Sequence, residues 1–404
     1  MSSDRRFGVI LFDDPTLKGQ DEAGWASVSG EKPFRVARVS DLASDIIWLC
    51  DAEYNAARAA GHQSLHNVRG GSFLGTAFKS IISDLTGANE PTNPVACQYL
   101  SVLAQRIGTF ALQHYGERAL GGYSLSVGMQ SVFDEGRVPT TGEGWVDLAL
   151  TSAYQQSAKC DLGGMPFLAN AKTVHVRDNR FLHALQVMES LTPAGSFEYI
   201  SGTKIPMSAD FILNGERPAL VQVSVSKIDP DIAGILGFGA SSGKRTKVRD
   251  WVAAPELVLL DQFAQVKIKG AIFWERAEPL KPHLQIPDGM RDGMLAMSYS
   301  AGVIAEAHLK ALMAGKKDQL MNDQRYTPRA VFLAAVDRVL TFPLVRALRE
   351  AGFPVMSYGL GAVAVRAKAS MLKDLSDFVR DAGLSFPLPE VAEKGFVDAA
   401  HVVQ

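Results

Sequence analysis

The densest run of glycine in reach of positive charge is His66-Asn67-Val68-Arg69-Gly70-Gly71-Ser72-Phe73-Leu74-Gly75-Thr76-Ala77-Phe78-Lys79. Glycines at such a turn let the backbone approach a ligand closely, and the free N–H groups of a helix start favour an anion such as a phosphate. Arg69 and Lys79 add charge on either side. Two nucleotide fingerprints fail on spacing: no Gly-Lys-Ser/Thr follows the turn, and GxGxxG is absent. Two readings stay open, a backbone-binding loop and a tight connection in which Gly70, Gly71 and Gly75 only permit unusual φ or close helix packing.

A second glycine-rich stretch, Gly237-Phe238-Gly239-Ala240-Ser241-Ser242-Gly243, leads into Lys244-Arg245-Thr246-Lys247-Val248-Arg249. It is no Walker loop, because Phe238 stands five before Gly243 and Arg245 follows Lys244. Lys244, Arg245, Lys247 and Arg249 fall within six positions, which suits contacts to a nucleic-acid backbone or, equally, a solvated loop. Lys267 and Lys269 alternate with Val266 and Ile268, so both are expected on one exposed strand face. Aromatics beside bases suit single strands, because nucleobases stack on rings while cations follow phosphates. Tyr326, between Arg325 and Arg329, and Trp251, close to Arg249, meet that description and also suit a core or its rim.

Acid, base and metal chemistry is poorly served. His62 and His66 stand one helical turn apart near Asp51 and Glu53, but Gln63 replaces the glutamate of HExxH and Gly61 interrupts the helix. Asp13-Asp14 and Asp229 with Asp231 adjoin prolines and read as turns. His175 and His183 have no partner pattern. No catalytic residue, metal or cofactor is expected. A formal charge of −2 gives no global attraction to polyanions, so any such site must come from local clustering. Three scattered cysteines fit a reducing compartment, and the apolar run Phe7–Phe12 is too short for a signal segment or a membrane span. The expected location is the cytoplasm, with no membrane partner.

Hydropathy spacing places the elements that would carry these residues. It predicts a strand at 7–12, a loop over 16–33, helices over 41–60, 73–85, 98–115, 178–191 and 291–314, and strands at 220–226 and 266–273. Glycines break up 119–175, which reads as hairpins or an extended lobe. The last third predicts strand 330–338, helix 342–351 with Pro343 in its first turn, strands 353–358 and 361–367, and helix 370–382. Such a β-α-β-β-α order lacks one strand of a ferredoxin-like unit, which 7–12 or 266–273 could supply. The expected fold is α+β. Residues 1–118 and 200–385 form a composite core, 119–199 an inserted glycine-rich lobe, and 386–404 a tail.

The stretch Gly70-Gly71-Ser72-Phe73-Leu74-Gly75-Thr76-Ala77-Phe78-Lys79 resembles the Gly-Ser-Ser-Leu-Lys-Gly-x-x-Arg turn of the RAMP superfamily, which includes the backbone subunits of CRISPR surveillance complexes. Leu74 and Phe78 stand where the family has lysine and arginine. The resemblance implies a modified ferredoxin-like (RRM-like) core with large insertions and a glycine loop that helps bind guide RNA. Further contacts would come from a thumb or finger insertion. It nominates Gly70, Ser72 and Gly75, with Lys79 one place beyond the usual basic position. Tyr358-Gly359-Leu360-Gly361 would serve as the family's second glycine-rich loop.

The expectation is a non-catalytic, RNA-binding subunit of a CRISPR-type effector complex for antiviral defense. It would assemble along guide RNA with copies of itself and other effector subunits. The contact set is Arg69, Gly70, Gly71, Ser72, Gly75, Lys79, Lys244, Arg245, Lys247, Arg249, Lys267 and Lys269. Two other readings use the same residues: a self-assembling shell or sheath protein, and an enzyme acting on a phosphorylated small molecule.

Overall fold

A computed structural model describes residues 5–17, 21–52, 54–61, 94–120, 129–130, 132–133, 141–155, 171–177, 179–228, 230–238, 249–286, 298–318 and 323–382. The chain is α+β and divides into two compact units. One holds Met1–Asp134, Gly289–Ala311 and Phe386–Gln404, the other Glu135–Asp288 and Leu312–Ser385. Residues 119–199, expected as a separate lobe, supply a helix, two strands and a further helix to the second unit.

The first unit is built on β1 (Phe7–Phe12), whose six residues carry no polar side chain and are all buried. It pairs antiparallel with β2 (Gly24–Val28) and parallel with β4 (Ile47–Cys50), and β3 (Phe34–Val36) completes the sheet in the order β3-β2-β1-β4. β2 lies inside the expected loop 16–33, and the expected helix 41–60 is instead β4 followed by the short α1 (Tyr54–Ala59). The reason is local. Ile47-Trp48-Leu49-Cys50 is buried at every position, and such a run has no helical face even though Ile46, Leu49 and Cys50 imitate helical spacing.

Helix α2 (Pro94–Tyr115) covers β1 and β2, as expected from its apolar stripe, and starts one turn earlier than that stripe suggests. Its polar positions satisfy the sheet's backbone. Gln105 Oε1 accepts from Phe7 N at 2.8 Å, and Ser101 Oγ accepts from Gly30 N at 2.9 Å. The Cys97 thiol donates to Val9 O, and burial pushes it up to about 12. Close approach of α2 depends on Gly108, where a Cβ would stand 2.4 Å from the ring of fully buried Phe7.

The second unit holds two larger sheets, a two-stranded ladder and one long helix. Helices α3 (Gly144–Gln155), α4 (Arg180–Met188), α5 (Ala209–Leu213), α6 (Pro230–Ile235) and α7 (Leu257–Phe263) precede α8 (Ser298–Met313), most of which lies in the first unit. Then comes α9 (Pro328–Glu350), and α10 (Leu372–Asp381) follows. The larger sheet is antiparallel with order β6-β9-β7-β8, from β6 (Thr192–Ser201), β7 (Ala219–Ser226), β8 (Trp251–Ala253) and β9 (Gln265–Glu278). One face packs against Val146, Leu150 and Ala153 of α3 and Val331, Phe332 and Ala335 of α9. The smaller sheet has the order β12-β13-β5, with β5 (Lys172–Arg177), β12 (Val355–Gly359) and β13 (Ala362–Ala367). A two-stranded ladder, β10 (Lys316–Asp318) with β11 (Asp323–Arg325), completes the described strands.

The expected strand 330–338 is a correction. Those residues form the first half of α9, capped by Thr327, whose Oγ1 accepts from Ala330 N at 3.0 Å. Ala330 to Ala335 are buried without exception, so the sequence shows a continuous apolar run instead of a 3.6-residue rhythm. Pro343 lies inside the helix and does not begin it. In the three-stranded sheet β5 stands where strand 330–338 was expected. It and β12 both run antiparallel to β13 and so parallel to each other, while 7–12 and 266–273 belong to other sheets.

Gly108→Ala is expected to cost about 1–3 kcal/mol, because Phe7 has no space to retreat into. Gly144→Ala, with nothing within 4 Å of the new Cβ, is expected to stay within about 0.5 kcal/mol. Urea unfolding followed by circular dichroism checks both.

Candidate nucleic-acid interface

Charge gathers at one end of the larger sheet. Lys267 lies opposite Ser224 of β7. Lys269 is the extra residue of a bulge, since Gly270 pairs with Gln222 and Ile268 with the very next residue, Val223. Strand β7 ends at Ser226, opposite Gln265, and Lys227 follows with φ +50°. Strand β6 ends at Ser201, opposite Gly270, and Gly202 N donates to Lys269 O at 2.8 Å. That turn is closed by Lys204 N donating to Ser201 O at 3.0 Å.

With adjacent strands about 4.8 Å apart, Lys204, Lys227, Lys267 and Lys269 thus converge from three neighbouring strands. All four are exposed, and among the described residues none of their ammonium groups is held in an ion pair. The nearby carboxylate of Asp250, whose backbone O accepts from Val223 N, instead takes a hydrogen bond from Ser152 Oγ at 3.0 Å. This end presents four cations and the exposed hydroxyls of Ser224 and Ser226.

Lys267 and Lys269 are exposed as their alternation predicts. Arg69, Gly70, Gly71, Ser72, Gly75, Lys79, Lys244, Arg245 and Lys247 lie outside the described residues, as do His62 and His66. Arg249 is a correction. It is buried and its guanidinium is spent inside the fold: it pairs with Glu256 and donates to Ala153 O at 3.1 Å and Leu236 O at 3.3 Å. Glu256 also receives Arg338 Nε at 3.1 Å. Burial works to raise the Glu256 carboxyl, but the Arg249 and Arg338 guanidiniums outweigh it and hold the group below its ordinary value.

The aromatics nominated beside bases belong to the core. Tyr326 is buried and stacks on Tyr154 with ring centroids 3.7 Å apart, and Trp251 packs in the same cluster. The turn Tyr358-Gly359-Leu360-Gly361 already holds an anion of its own. Leu360 N donates to Asp337 Oδ2 at 2.7 Å and Gly361 N to Oδ1 at 3.2 Å, while His183 Nε2 meets Oδ1 at 2.6 Å. Those two amides are committed to a buried carboxylate and not to a ligand. Asp13 is bound by the Arg35 guanidinium, which lowers its pKa, and Asp14 accepts from Thr16. Among the described residues no group of three His, Cys, Asp or Glu could hold a metal, and no helix is long and apolar enough to cross a membrane.

No protein-family model and no curated protein matches the sequence. Among solved structures, it is similar to Phi29 DNA polymerase complexed with primer-template DNA, at 12% identity and TM-score 0.37, covering 67% of this chain and 52% of that one. The same polymerase complexed with single-stranded DNA gives 13% identity and TM-score 0.35, covering 72% and 58%. The chain spans about half the length of that polymerase, and superposition at this level assigns neither fold nor activity.

Lys204 and Lys227 were beyond sequence reasoning, since each sits in an ordinary turn and meets the others only through strand register. Glu256→Gln is expected to destabilise the second unit by about 3–5 kcal/mol, because two buried guanidiniums lose their counter-charge. The sign of the pH effect follows from the depressed Glu256 value. Its contribution is complete above the ordinary glutamate pKa, roughly 4.3, and is lost as pH falls through the lower folded value. Urea midpoints measured from pH 7 down to pH 3 should fall for the parent chain, with a shallower acid limb in the variant.

Proposed function

We propose that this chain is a non-catalytic protein that holds a single nucleic-acid strand, RNA above all, by its phosphates. The observation that carries this reading is the convergence of Lys204, Lys227, Lys267 and Lys269 at one end of a sheet, exposed and without carboxylate partners among the described residues. On a chain of net charge −2, such local clustering is the electrostatic footprint that backbone binding requires. Lysine suits the task, as a strongly hydrated point charge that follows phosphates without reading sequence.

The finer reading is a ferredoxin-like core and assembly along a guide RNA with copies of itself and other CRISPR-type effector subunits. It rests on the resemblance of Gly70–Lys79 and on one feature of topology. β5, a helical crossover, β12, β13 and α10 have the connectivity of a split β-α-β unit with one strand fewer. Residues 189–327 are inserted within that crossover, and the lysine end lies on this insertion, which is where the resemblance places additional RNA contacts.

Binding of a fluorescein-labelled 20-nucleotide RNA, followed by anisotropy across a salt series, tests the reading. Four lysine contacts predict a log–log salt slope near −3, from about −0.7 per phosphate on a single strand. Lys267→Glu with Lys269→Glu should weaken binding about tenfold or more and flatten that slope by about 1.4. An unchanged affinity and slope in the double variant would remove the lysine end as the interface. A DNA strand of the same length distinguishes an RNA binder from a general one.

A further inference from the structure

Phosphate contacts do not explain two large rings beside the lysines. Trp145, in the first turn of α3, and Tyr199, on β6, are each 44% exposed and meet edge to face with centroids 5.5 Å apart. The hydrophobic cluster under this face of the sheet is formed from other residues, Trp274, Ile272 and Phe332 among them, so burial does not account for the pair.

Register places the rings and the lysines together. Residues directly opposite in antiparallel strands share a face, so Tyr199 lies on the face of Ile272, and Gly270 two residues on shares it. Tyr199 covers Gly270 so closely that a Cβ there would stand 2.3 Å from the phenol oxygen. The bulge at Lys269 then shifts the phase of β9. In an uninterrupted ladder Lys267 would share the face of Ala271 and Phe273. Because of the extra residue it pairs with Ser224 instead, on the same β7 face as Gln222, the partner of Gly270. Lys267 is thereby returned to the ring-bearing face. Two acidic neighbours of the rings are neutralised, Asp147 by Arg325 at 3.2 Å and Glu198 by Arg217, while Glu143, two residues before Trp145, is exposed.

We propose that Trp145 and Tyr199 form a stacking site for an unpaired nucleobase of a strand whose phosphates rest on Lys267 and Lys269. The proposal rests on the nucleic-acid reading above and adds what that reading lacks, a reason for the strand to be single. A ring face accepts any base, so the site is tolerant of sequence, and a base still paired in a duplex cannot reach it. Charge favours this occupant over an apolar peptide, because the unpaired ammonium of Lys267 lies on the face that carries the rings.

The test compares a 12-nucleotide uridine oligomer with an abasic oligomer of equal length and charge on the full chain, read by anisotropy and by tryptophan fluorescence. Of the five tryptophans Trp48, Trp251 and Trp274 are buried and Trp25, partly exposed, belongs to the first unit, so the part of the quench that Trp145→Ala removes reports on Trp145. The uridine oligomer should bind about 5- to 100-fold tighter than the abasic one and quench the emission. Trp145→Ala should lose the quench and bind the two alike, while Trp145→Phe retains most of the difference. Gly270→Ala, which displaces the Tyr199 ring without changing charge, should weaken only the uridine oligomer, with circular dichroism confirming an intact fold. Equal affinity for both oligomers in the parent chain overturns the stacking site and leaves the lysine interface standing. Failure to bind either one overturns both, and a duplex bound as tightly as the single strand overturns the stacking site alone.

Discussion

Two adjacent charges on one buried helix organise the second unit. Asp337 and Arg338 follow each other on α9, both are almost fully buried, and each must therefore find a counter-charge or hydrogen-bond donors from another element. Asp337 takes them from His183 of α4 and from the two amides of the β12–β13 turn. Arg338 takes Glu256, at the start of α7, which in turn binds Arg249 at the entry to β8. One turn of α9 thus fastens the smaller sheet on one side and the larger sheet on the other. Buried ion pairs add little net stability over an apolar replacement, but breaking one is costly. Such a network therefore specifies register more than it adds strength. It explains how Leu360 keeps a left-handed φ of +56°, since only that turn aims both amides at Asp337.

The same network separates buried from exposed cations. Arg249 and Lys267 looked alike in sequence, as bases near glycines and alternating apolar residues, and the fold treats them oppositely. A guanidinium is planar, weakly hydrated and can satisfy several acceptors at once, so it is the cation that can be taken inside, where it meets Glu256 and two carbonyls. An ammonium keeps its water more tenaciously, and the four lysines at this end all remain outside. Fixing Arg249 also fixes where the chain re-enters the sheet. The entry to β8 lies at the lysine end because Val223 N donates to Asp250 O there.

Local signals carried much of the fold and little of the site. β1, α2, β7, β12, β13 and α10 were legible because each has one buried face or is buried throughout over a strand's length, so hydropathy has a clear period or a short unbroken run. Helix α9 was not, because packing between two sheets buries its N-terminal half on all sides and erases the period. Its start signal is Thr327-Pro328, a cap followed by a first-turn proline, and Pro343, which the spacing places at the start of a helix 342–351, lies inside it. The site was less legible still. Lys267 and Lys269 showed in the alternation of β9, but Lys204, Lys227 and Tyr199 reach them only through pairing between strands far apart in sequence, and Trp145 only through the packing of α3 against Tyr199, for which no local pattern exists.

The bulge at Lys269 is where those two scales meet. A strand's sides are set by parity, and a single extra residue exchanges them for everything that follows. On the C-terminal side of the bulge, the face of Gly270, Ile272 and Trp274 is committed to the hydrophobic cluster or to Tyr199. On its N-terminal side, the same face of the sheet carries Lys267 opposite Ser224 and Gln265 opposite Ser226, all polar and all exposed. The strand changes from core to charged surface while it stays paired with β7, and the transition falls at the glycine that seats an aromatic ring. A lysine at this end therefore owes its place beside Tyr199 less to its own sequence neighbourhood than to one unpaired residue in the ladder.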